Sequence, residues 1–389
     1  MSRIDDLLEE LSPDGIESLT LGDLCRIGTG AAVSKVSIGQ NPGPYPVINS
    51  GREPLGYIGS FNTEDDPIGI TSRGAGVGSM TWCEGRYFRG NLNYSVTTLD
   101  RSLIDTRFLY HSLLFLQPRI QQLCTYQGIP ALNKVNLKKL PVPVPPIEVQ
   151  HEIVRILDTF TELEAELEAE LEARKRQYVY YRDSLLRYPE AEGVEFESLG
   201  DIAEFKYGYT ASAQDEGDCR FLRITDISPS GKLSPFGAKF VDIGTNTDDY
   251  LVKPGDLLMA RTGATYGKTM LVDSVDPAIY ASFLIRIRLN ESTILPSYYW
   301  HFAQSNLYWS QANSMVSMGG QPQFNANVLK LIKVPIPTLD EQERIVAVLD
   351  KFDALVNDLS VGLPAELSAR RKQYEHYRDR LLTFDEAVS

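Results

Sequence analysis

Residues 263–269 read Gly-Ala-Thr-Tyr-Gly-Lys-Thr and come close to the loop that cradles nucleotide phosphates. That loop needs four residues between its first glycine and the Gly-Lys pair, because its backbone amides wrap around the phosphate oxygens. Only three residues stand there in this chain. The glycines are therefore interpreted as turn residues, since glycine tolerates positive φ at little steric cost.

Three further segments approach catalytic motifs, and each departs from the required pattern. Residues 41–45 read Asn-Pro-Gly-Pro-Tyr, and the inserted glycine breaks the Asn-Pro-Pro-Tyr turn that would stack a flipped adenine in an adenine methyltransferase. The glycines of residues 74–78 lack the Gly-x-Gly-x-x-Gly spacing of a dinucleotide or methyl-donor site. His151 is followed by a glutamate as in zinc proteases, but Arg155 occupies the position of the second metal ligand.

The other reactive side chains are few and scattered. The four cysteines include no Cys-x-x-Cys pair and no histidine at ligand spacing, so reduced thiols are expected rather than structural zinc or disulfides. His111 and His301 occupy matching places in the repeat described next, and packing is the preferred interpretation of that pair. The acids of residues 162–172 alternate along an expected helix and indicate a solvated face. The sequence thus predicts a non-catalytic chain without a metal site.

The same ordered series of segments occurs twice in the chain, at an offset of about 190 residues. Residues 173–186 and 369–382 are identical at 9 of 14 positions. In the segment upstream of that match, Gln150 corresponds to Gln342. The chain is therefore interpreted as a tandem duplication.

Each copy changes from a globular part to a helical part at a proline-rich seam, residues 141–146 and 335–337. Proline disfavours helix before itself and is tolerated in a helix's first turn. Thr338, with Glu341 three positions later, forms a capping box and predicts a helix start.

Downstream of each seam, apolar residues recur every three or four positions, through residues 153–185 and 345–381, including Leu359. The two stripes are predicted to cover each other as a coiled-coil pair. Gly362 and Pro364 are expected to interrupt the second helix.

The globular parts are rich in glycine, proline and short β-type runs, and helices are expected near residues 106–123 and 296–315. The predicted fold class is α+β: two tandem mixed α/β domains, separated and followed by long helices that pair as an antiparallel coiled coil. The predicted segments are an N-terminal segment (1–15), a first domain (16–146), a central helix (147–190), a second domain (191–338) and a distal helix (339–389).

Composition restricts the class of protein further. The 389 residues carry a net charge of -14, but the two domains hold 12 basic against 9 acidic and 12 against 16 residues. Each domain can therefore present a basic face although the whole chain is acidic. No apolar run approaches the roughly 20 residues of a membrane span, and no secretory signal is evident, so a cytoplasmic location is expected.

Polar loops at equivalent places in the two copies favour recognition, because Arg and Lys suit guanine or phosphate while Gln and Asn suit adenine. Ordinary polar turns are the alternative for each single residue. The candidate DNA-binding residues are Arg73, Lys134, Arg261, Tyr266, Lys268, Gln321, Gln323 and Asn325.

Nearly the whole chain resembles the specificity subunit of a type I restriction-modification enzyme. The signature is a Gly, Gln, Pro, Asn segment, a Pro-x-Pro seam and a Gln-x-x-Ile-Val helix, and it falls at residues 320–346 and again at 128–154. The first copy has Ile129 where the second has Gln321. The central Leu-Glu-Ala-Glu repeat is similar to the subclass in which tetrapeptide repeats separate the domains.

The resemblance implies that the two domains are target recognition domains, which read the halves of a bipartite asymmetric site in double-stranded DNA. It implies two docked methyltransferase subunits and recruited motor-nuclease subunits, with S-adenosylmethionine, ATP and Mg²⁺ bound by those partners. Leu163 and Leu167 are predicted to set the spacer between half-sites. The docking candidates are Gln150, Tyr178, Tyr181, Arg182, Gln342, Tyr374, Tyr377 and Arg378.

Two alternatives stay open at this point, and the sequence disfavours a third. The tyrosines can pack the helix pair rather than bind a partner. A non-catalytic two-module scaffold for peptide or polysaccharide would share the duplication, but only DNA binding should weaken steeply with salt. A fused methyltransferase-nuclease would need an intact methyl-donor loop and catalytic tetrapeptide, which the sequence lacks.

Overall fold

The computed structural model describes residues 3–51, 53–189, 193–242, 244, 247–273, 276–316 and 324–385. The chain forms two compact units. Unit 1 comprises Met1–Glu166 and Ser368–Ser389, and unit 2 comprises Leu167–Leu367. Each unit thus combines one globular domain with helical segments from both copies of the repeat.

Unit 1 contains twelve strands in its described part. The antiparallel sheet β2-β9-β6-β7 lies beside a second sheet, β4-β3-β8-β5, in which only β3 and β8 are parallel. Two further pairs, β1-β12 and β10-β11, complete the domain. The strands are β1 (Ser18–Thr20), β2 (Cys25–Thr29), β3 (Pro42–Ile48), β4 (Tyr57–Ile58), β5 (Thr63–Glu64), β6 (Ile68–Thr71), β7 (Met80–Trp82), β8 (Arg86–Arg89), β9 (Asn93–Thr98), β10 (Cys124–Thr125), β11 (Ala131–Leu132) and β12 (Pro141–Pro143).

The helices of the first domain are short, and the central helix that follows is long. They are α1 (Arg3–Leu11), α2 (Leu21–Leu24), α3 (Lys35–Gln40), α4 (Thr106–Phe115), α5 (Gln117–Gln122), α6 (Lys134–Lys138) and α7 (Ile147–Leu185). The helix predicted near 106–123 is in fact α4 and α5, with a break at Leu116 before the proline in the first turn of α5. No helix in the described ranges is long and apolar enough to cross a membrane.

The described part of unit 2 contains a four-stranded sheet equivalent to the sheet β2-β9-β6-β7 of unit 1, and these two are termed the main sheets. Its order β14-β20-β17-β18 matches β2-β9-β6-β7, and β13-β21 matches β1-β12. A three-stranded sheet, β16-β15-β19, packs against the main sheet through one shared apolar cluster. The strands are β13 (Glu195–Ser198), β14 (Ala203–Tyr207), β15 (Cys219–Leu222), β16 (Phe240–Val241), β17 (Leu257–Ala260), β18 (Thr269–Leu271), β19 (Ala278–Tyr280), β20 (Leu284–Leu289) and β21 (Lys333–Ile336).

The second helical set belongs to the second copy of the repeat. It comprises α8 (Leu199–Ile202), α9 (Pro296–Phe302), α10 (Asn306–Met315), α11 (Ala326–Leu329), α12 (Leu339–Asn357) and α13 (Leu363–Leu381). Thr338 caps α12 by accepting the amide of Glu341, and the predicted interruption falls between α12 and α13. The helix predicted near 296–315 is broken, because the Ser305 side chain caps a new helix, α10. Leu359 lies in the interruption and is exposed, so its place in the apolar stripe was predicted wrongly.

Within each unit the helices pair as predicted. In unit 1 the rings of Phe160 and Tyr377 stack with centroids 5.2 Å apart, and Glu164 forms an ion pair with Arg371 at 2.6 Å. The step from Phe160 forward to Glu164 along α7 matches a step from Tyr377 back to Arg371 along α13. The two helices are therefore antiparallel. In unit 2, Tyr181 stacks on Phe352 at 5.3 Å.

Candidate nucleic-acid interface

The loop after the third strand of each main sheet is a tight glycine turn. In unit 1, Gly74 and Gly78 have φ of 98° and 77°, and in unit 2, Gly263 and Gly267 have φ of 75° and 78°. Left-handed backbone at these four places favours glycine. The resemblance of residues 263–269 to a phosphate-binding loop therefore has a structural explanation, since its glycines form this turn.

Hydrogen bonds define which residues of the two loops are equivalent. Thr71 bonds with the backbone of Ser79 and Gly78 as Ala260 bonds with Lys268 and Gly267. Arg261, one residue after Ala260, therefore corresponds to Ser72. Arg73, the other candidate arginine of these loops, corresponds to Thr262 rather than to Arg261.

The signature segment of each copy lies against this loop. In unit 1 the amide of Leu132 donates to Ser72 at 2.8 Å, and that of Gly74 donates to Pro130 at 2.9 Å. In unit 2 the amide of Phe324 donates to Arg261 at 2.8 Å. The structure therefore brings two of the predicted sequence features together in each unit.

The side chain of Asn325 forms hydrogen bonds with backbone amides at the start of α11. Its Oδ1 accepts the amides of Asn327 and Val328, at 3.0 and 3.1 Å, and so caps α11. With both acceptor positions occupied, Asn325 cannot make the two-bond adenine contact predicted for it. Gln321 and Gln323, the other predicted amides, lie outside the described residues.

The remaining predicted contacts fall on the loop and its flanks. Arg73 is exposed, whereas Lys134 at the start of α6 and Lys268 just before β18 are partly exposed. Tyr266 is partly committed to the fold, because its hydroxyl donates to Asn313 Oδ1 at 2.8 Å and its ring packs on Trp309. Arg261 Nε donates to the carbonyl of Ser282 at 3.1 Å. A charged or polar side chain thus stands at this end of each main sheet.

The predicted docking role of Gln150 and Gln342 is wrong, because both are fully buried and bonded within the chain. Gln150 Oε1 accepts the amide of Asp105 at 2.8 Å, and Nε2 donates to the carbonyls of Leu103 and Pro145.

Gln342 repeats this arrangement in unit 2. Its Oε1 accepts the amide of Leu295 at 2.9 Å, and Nε2 donates to the carbonyls of Thr293 and Pro337. Each glutamine therefore holds a domain to the helix that follows it.

A buried histidine connects each domain to two helices. His111 Nε2 lies 2.8 Å from Asp158 Oδ1, and its Nδ1 lies 3.0 Å from the hydroxyl of Tyr374. Burial lowers the pKa of His111 and raises that of Tyr374. The preferred packing interpretation agrees with this geometry.

His301 makes the same two contacts in unit 2. Its Nε2 lies 2.8 Å from Asp350, and its Nδ1 lies 3.2 Å from the hydroxyl of Tyr178. Sequence reasoning missed Asp158 and Asp350, although each stands eight residues after the corresponding glutamine, Gln150 or Gln342.

The other docking candidates divide by exposure. Tyr178 is buried and its pKa is raised by that burial, so it packs the helix pair. Arg182 is buried over the Tyr178 ring, and Arg378 lies over the ring of Tyr374. Tyr181 and Tyr377 are 38% and 40% exposed. These two tyrosines are the docking candidates with the most accessible ring surface.

The described residues contain no group of three or more His, Cys, Asp or Glu side chains that could hold a metal ion. The four cysteines are free, and burial raises the pKa of the Cys25 thiol to about 12. The candidate site, as far as the structure describes it, therefore consists of basic side chains at the sheet ends rather than nucleophiles or metal ligands.

Known proteins resemble the chain over most of its length. The model of the type I restriction modification DNA specificity domain matches residues 13–173 and 191–369. A Haemophilus influenzae protein provisionally named as a type I restriction enzyme specificity subunit is 30% identical over 87% of this chain and 93% of its own. The EcoR124I/EcoR124II specificity subunit of Escherichia coli is 34% identical over 65% of each chain.

The fold agrees with this assignment. The S subunit of a type I restriction-modification system from M. genitalium aligns over 95% of this chain and 96% of its own, with a TM-score of 0.60 and 19% identity. The two family matches cover both copies of the duplication. The chain therefore belongs to the family of type I restriction-modification specificity subunits.

Proposed function

We propose that this chain recognises a bipartite DNA target, with the domain of unit 1 reading one half-site and the domain of unit 2 reading the other. The observation that carries the proposal is a repeated backbone with different side chains at equivalent places. Ser72 and Ser79 in unit 1 correspond to Arg261 and Lys268 in unit 2. Two domains that share a backbone but present different polar side chains are suited to reading two different base sequences.

The acidic net charge is compatible with this role. Acidic residues are concentrated in the helical segments, while the first domain is slightly basic. The methyltransferase subunits can supply part of the positive charge that neutralises the DNA phosphates. An acidic helix remains suitable for binding protein. The comparisons give no support to a scaffold for peptide or polysaccharide.

We assign methyl transfer and DNA cleavage to partner subunits. Methyltransferase subunits would bind S-adenosylmethionine, motor-nuclease subunits would bind ATP and Mg²⁺, and this chain would supply the target and the docking surfaces in the cytoplasm. The turn glycines of the loop at 263–269 support that division, since their backbone is explained by the fold alone. The target is proposed to be methylated at adenine.

The proposal is tested by methylome sequencing of a host that carries this chain with its methyltransferase. We expect one bipartite target with two unlike half-sites, and Lys134→Ala and Lys268→Ala should affect opposite halves if these lysines contact bases. The purified chain alone, incubated with duplex DNA and S-adenosylmethionine, should transfer no methyl group. A continuous target, or methyl transfer by the isolated chain, would contradict the proposal.

Docking of two copies of one methyltransferase requires the same surface twice. The exposed rings of Tyr377 on Phe160 in unit 1 and Tyr181 on Phe352 in unit 2 meet that requirement. Exposed aromatic side chains are enriched among the residues that dominate protein interfaces. We infer that each ring pair lies in one docking surface.

Tyr181→Ala and Tyr377→Ala should each release one of two bound methyltransferase subunits and leave the other in place. The expected loss of affinity is about tenfold or more at the affected surface, because interface tyrosines commonly contribute about 1–2 kcal/mol or more. Native mass spectrometry of the reconstituted assembly measures the stoichiometry. Tyr126→Ala, another exposed tyrosine in unit 1, is the matched control and should retain both partners. Full occupancy in both variants would exclude the proposed surfaces.

A further inference from the structure

A surface cluster in unit 2 holds the guanidinium of Arg261 between two exposed rings. Its central carbon lies 5.2 Å from the centroid of Tyr207 and 5.7 Å from that of Phe283. Tyr207 and Phe283 are 42% and 52% exposed, so the cluster lies at the surface of the unit. Together with Ser282, whose carbonyl accepts from Arg261 Nε, these residues are termed the Arg261 cluster.

Three strands and the signature segment together position the Arg261 cluster. Tyr207 ends β14, Arg261 follows β17, and Phe283 precedes β20. The Tyr207 hydroxyl also accepts the amide of Ala326 at 3.1 Å, while Phe324 donates to the Arg261 carbonyl. The arginine therefore stands between the main sheet and the signature segment, on a rigid framework.

Among the described residues, the side chain of Arg261 forms a hydrogen bond through Nε alone, so its two terminal amino groups have no partner there. Nε is bonded to Ser282, and within the described residues no carboxylate forms an ion pair with this arginine. A guanidinium held at Nε and flanked by two rings has a preferred plane. Its two terminal amino groups then form a fork that can donate two parallel hydrogen bonds.

The equivalent place in unit 1 has no such group. Ser72 donates its amide to Leu92 as Arg261 donates its amide to Phe283, so Leu92 replaces Phe283. Thr29 pairs with Tyr94 as Tyr207 pairs with Ile285, so Thr29 replaces Tyr207. Unit 1 thus has serine, leucine and threonine in place of the arginine and its two rings.

This asymmetry separates base recognition from phosphate binding. Every DNA half-site presents the same phosphates, so a phosphate contact gives no reason for the group to differ between two units on a common backbone. Bases differ between half-sites. A planar fork also matches the O6 and N7 acceptors of guanine in the major groove, the commonest specific contact of arginine.

We propose that Arg261 reads a guanine in the half-site of unit 2, through O6 and N7, with Tyr207 and Phe283 as positioning residues. The inference rests on the proposed DNA-recognition function. It predicts that the half-site contains a guanine whose recognition depends on this single side chain.

The test uses the chain assembled with its methyltransferase subunits and duplexes that carry the target found by methylome sequencing. Each guanine of the target is replaced in turn by 7-deazaguanine, which retains base pairing but lacks the N7 acceptor. For the wild type, one replacement in the unit 2 half-site should weaken binding by about 5- to 150-fold. Arg261→Ala should bind the unmodified target that much more weakly and should no longer respond to this replacement.

Two further variants make the test independent of folding and of charge. Arg261→Lys retains the charge but lacks both the planar fork and the Nε donor that bonds to Ser282, so it should bind the target more weakly and respond less to 7-deazaguanine than the wild type does. Arg344→Ala removes the same charge from an exposed ion pair on α12 and should retain the full response.

Uniform weakening of all duplexes by Arg261→Ala, with a salt slope reduced by about one, would identify a phosphate contact and overturn the proposal. A unit 2 half-site without guanine would overturn it as well. Failure of the underlying function is distinguishable, because the wild-type assembly would then bind target and scrambled duplexes equally.

Discussion

Gln342→Ala should lower the free energy of unfolding of unit 2 by about 2–4 kcal/mol, because three backbone groups lose their buried partner. An unsatisfied buried polar group costs about 1–3 kcal/mol, and the three losses are not independent. Hydrogen exchange reports the effect locally, since the amide of Leu295 donates to Gln342 Oε1. That amide should exchange roughly a hundredfold faster if global stability falls by about 3 kcal/mol.

Two controls separate this structural role from partner binding. Glu343→Ala, at the neighbouring exposed position, should change stability by less than about 0.5 kcal/mol. Gln342→Glu retains the acceptor but cannot donate to Thr293 and Pro337 when ionised, so it should also destabilise unit 2. Gln150→Ala should reproduce the loss in unit 1. If the variants keep their stability but bind the methyltransferase more weakly, the structural role is contradicted and the glutamines are docking residues.

Deletion of residues 167–170 should shorten the unread spacer of the DNA target while leaving both half-sites unchanged. The deleted residues are one Leu-Glu-Ala-Glu repeat within α7, which is continuous from Ile147 to Leu185. Four residues account for about 6 Å of helix and about 40° of rotation, which corresponds to one or two base pairs of spacer. Leucines recur every fourth position here, so Leu163 and Leu171 remain in register after the deletion.

Methylome mapping of a strain with this deletion measures the spacer directly. The matched control replaces the same four residues by alanine, which keeps the helix length and should keep the spacer. The Glu170–Arg174 ion pair is also preserved in the deletion, because Glu166 then stands four residues before Arg174. Normal methylation with an unchanged spacer would exclude α7 as the element that determines spacer length.

Local sequence signals predicted the helical architecture. The 3.6-residue period located α7, α12 and α13, and Thr338 marked the start of α12, because both depend on neighbours within a few residues. Sheet order could not be predicted in the same way. β2 pairs with β9, almost seventy residues further along the chain, and no periodicity encodes that choice.

The candidate site was predictable only in part, for the same physical reason. Arg261 could be identified because it lies in a repeated loop. Tyr207 and Phe283, which orient it, are remote in sequence and belong to other strands. The glutamines were misassigned because a polar residue repeated in both copies suggests a surface role. Their actual partners are backbone atoms, which leave no trace in side-chain patterns.

The glutamine junction has a consequence for how such proteins evolve. Gln150 and Gln342 bind only main-chain groups of the adjoining domain: the amides of Asp105 and Leu295 and the carbonyls of Leu103 and Thr293. An incoming domain needs the same turn before its helix, but not the same side chains there. Recombination between related genes could therefore exchange one domain and its target preference in a single event, provided that the incoming domain also carries the buried histidine that bonds to Asp158 or Asp350 on the helical side.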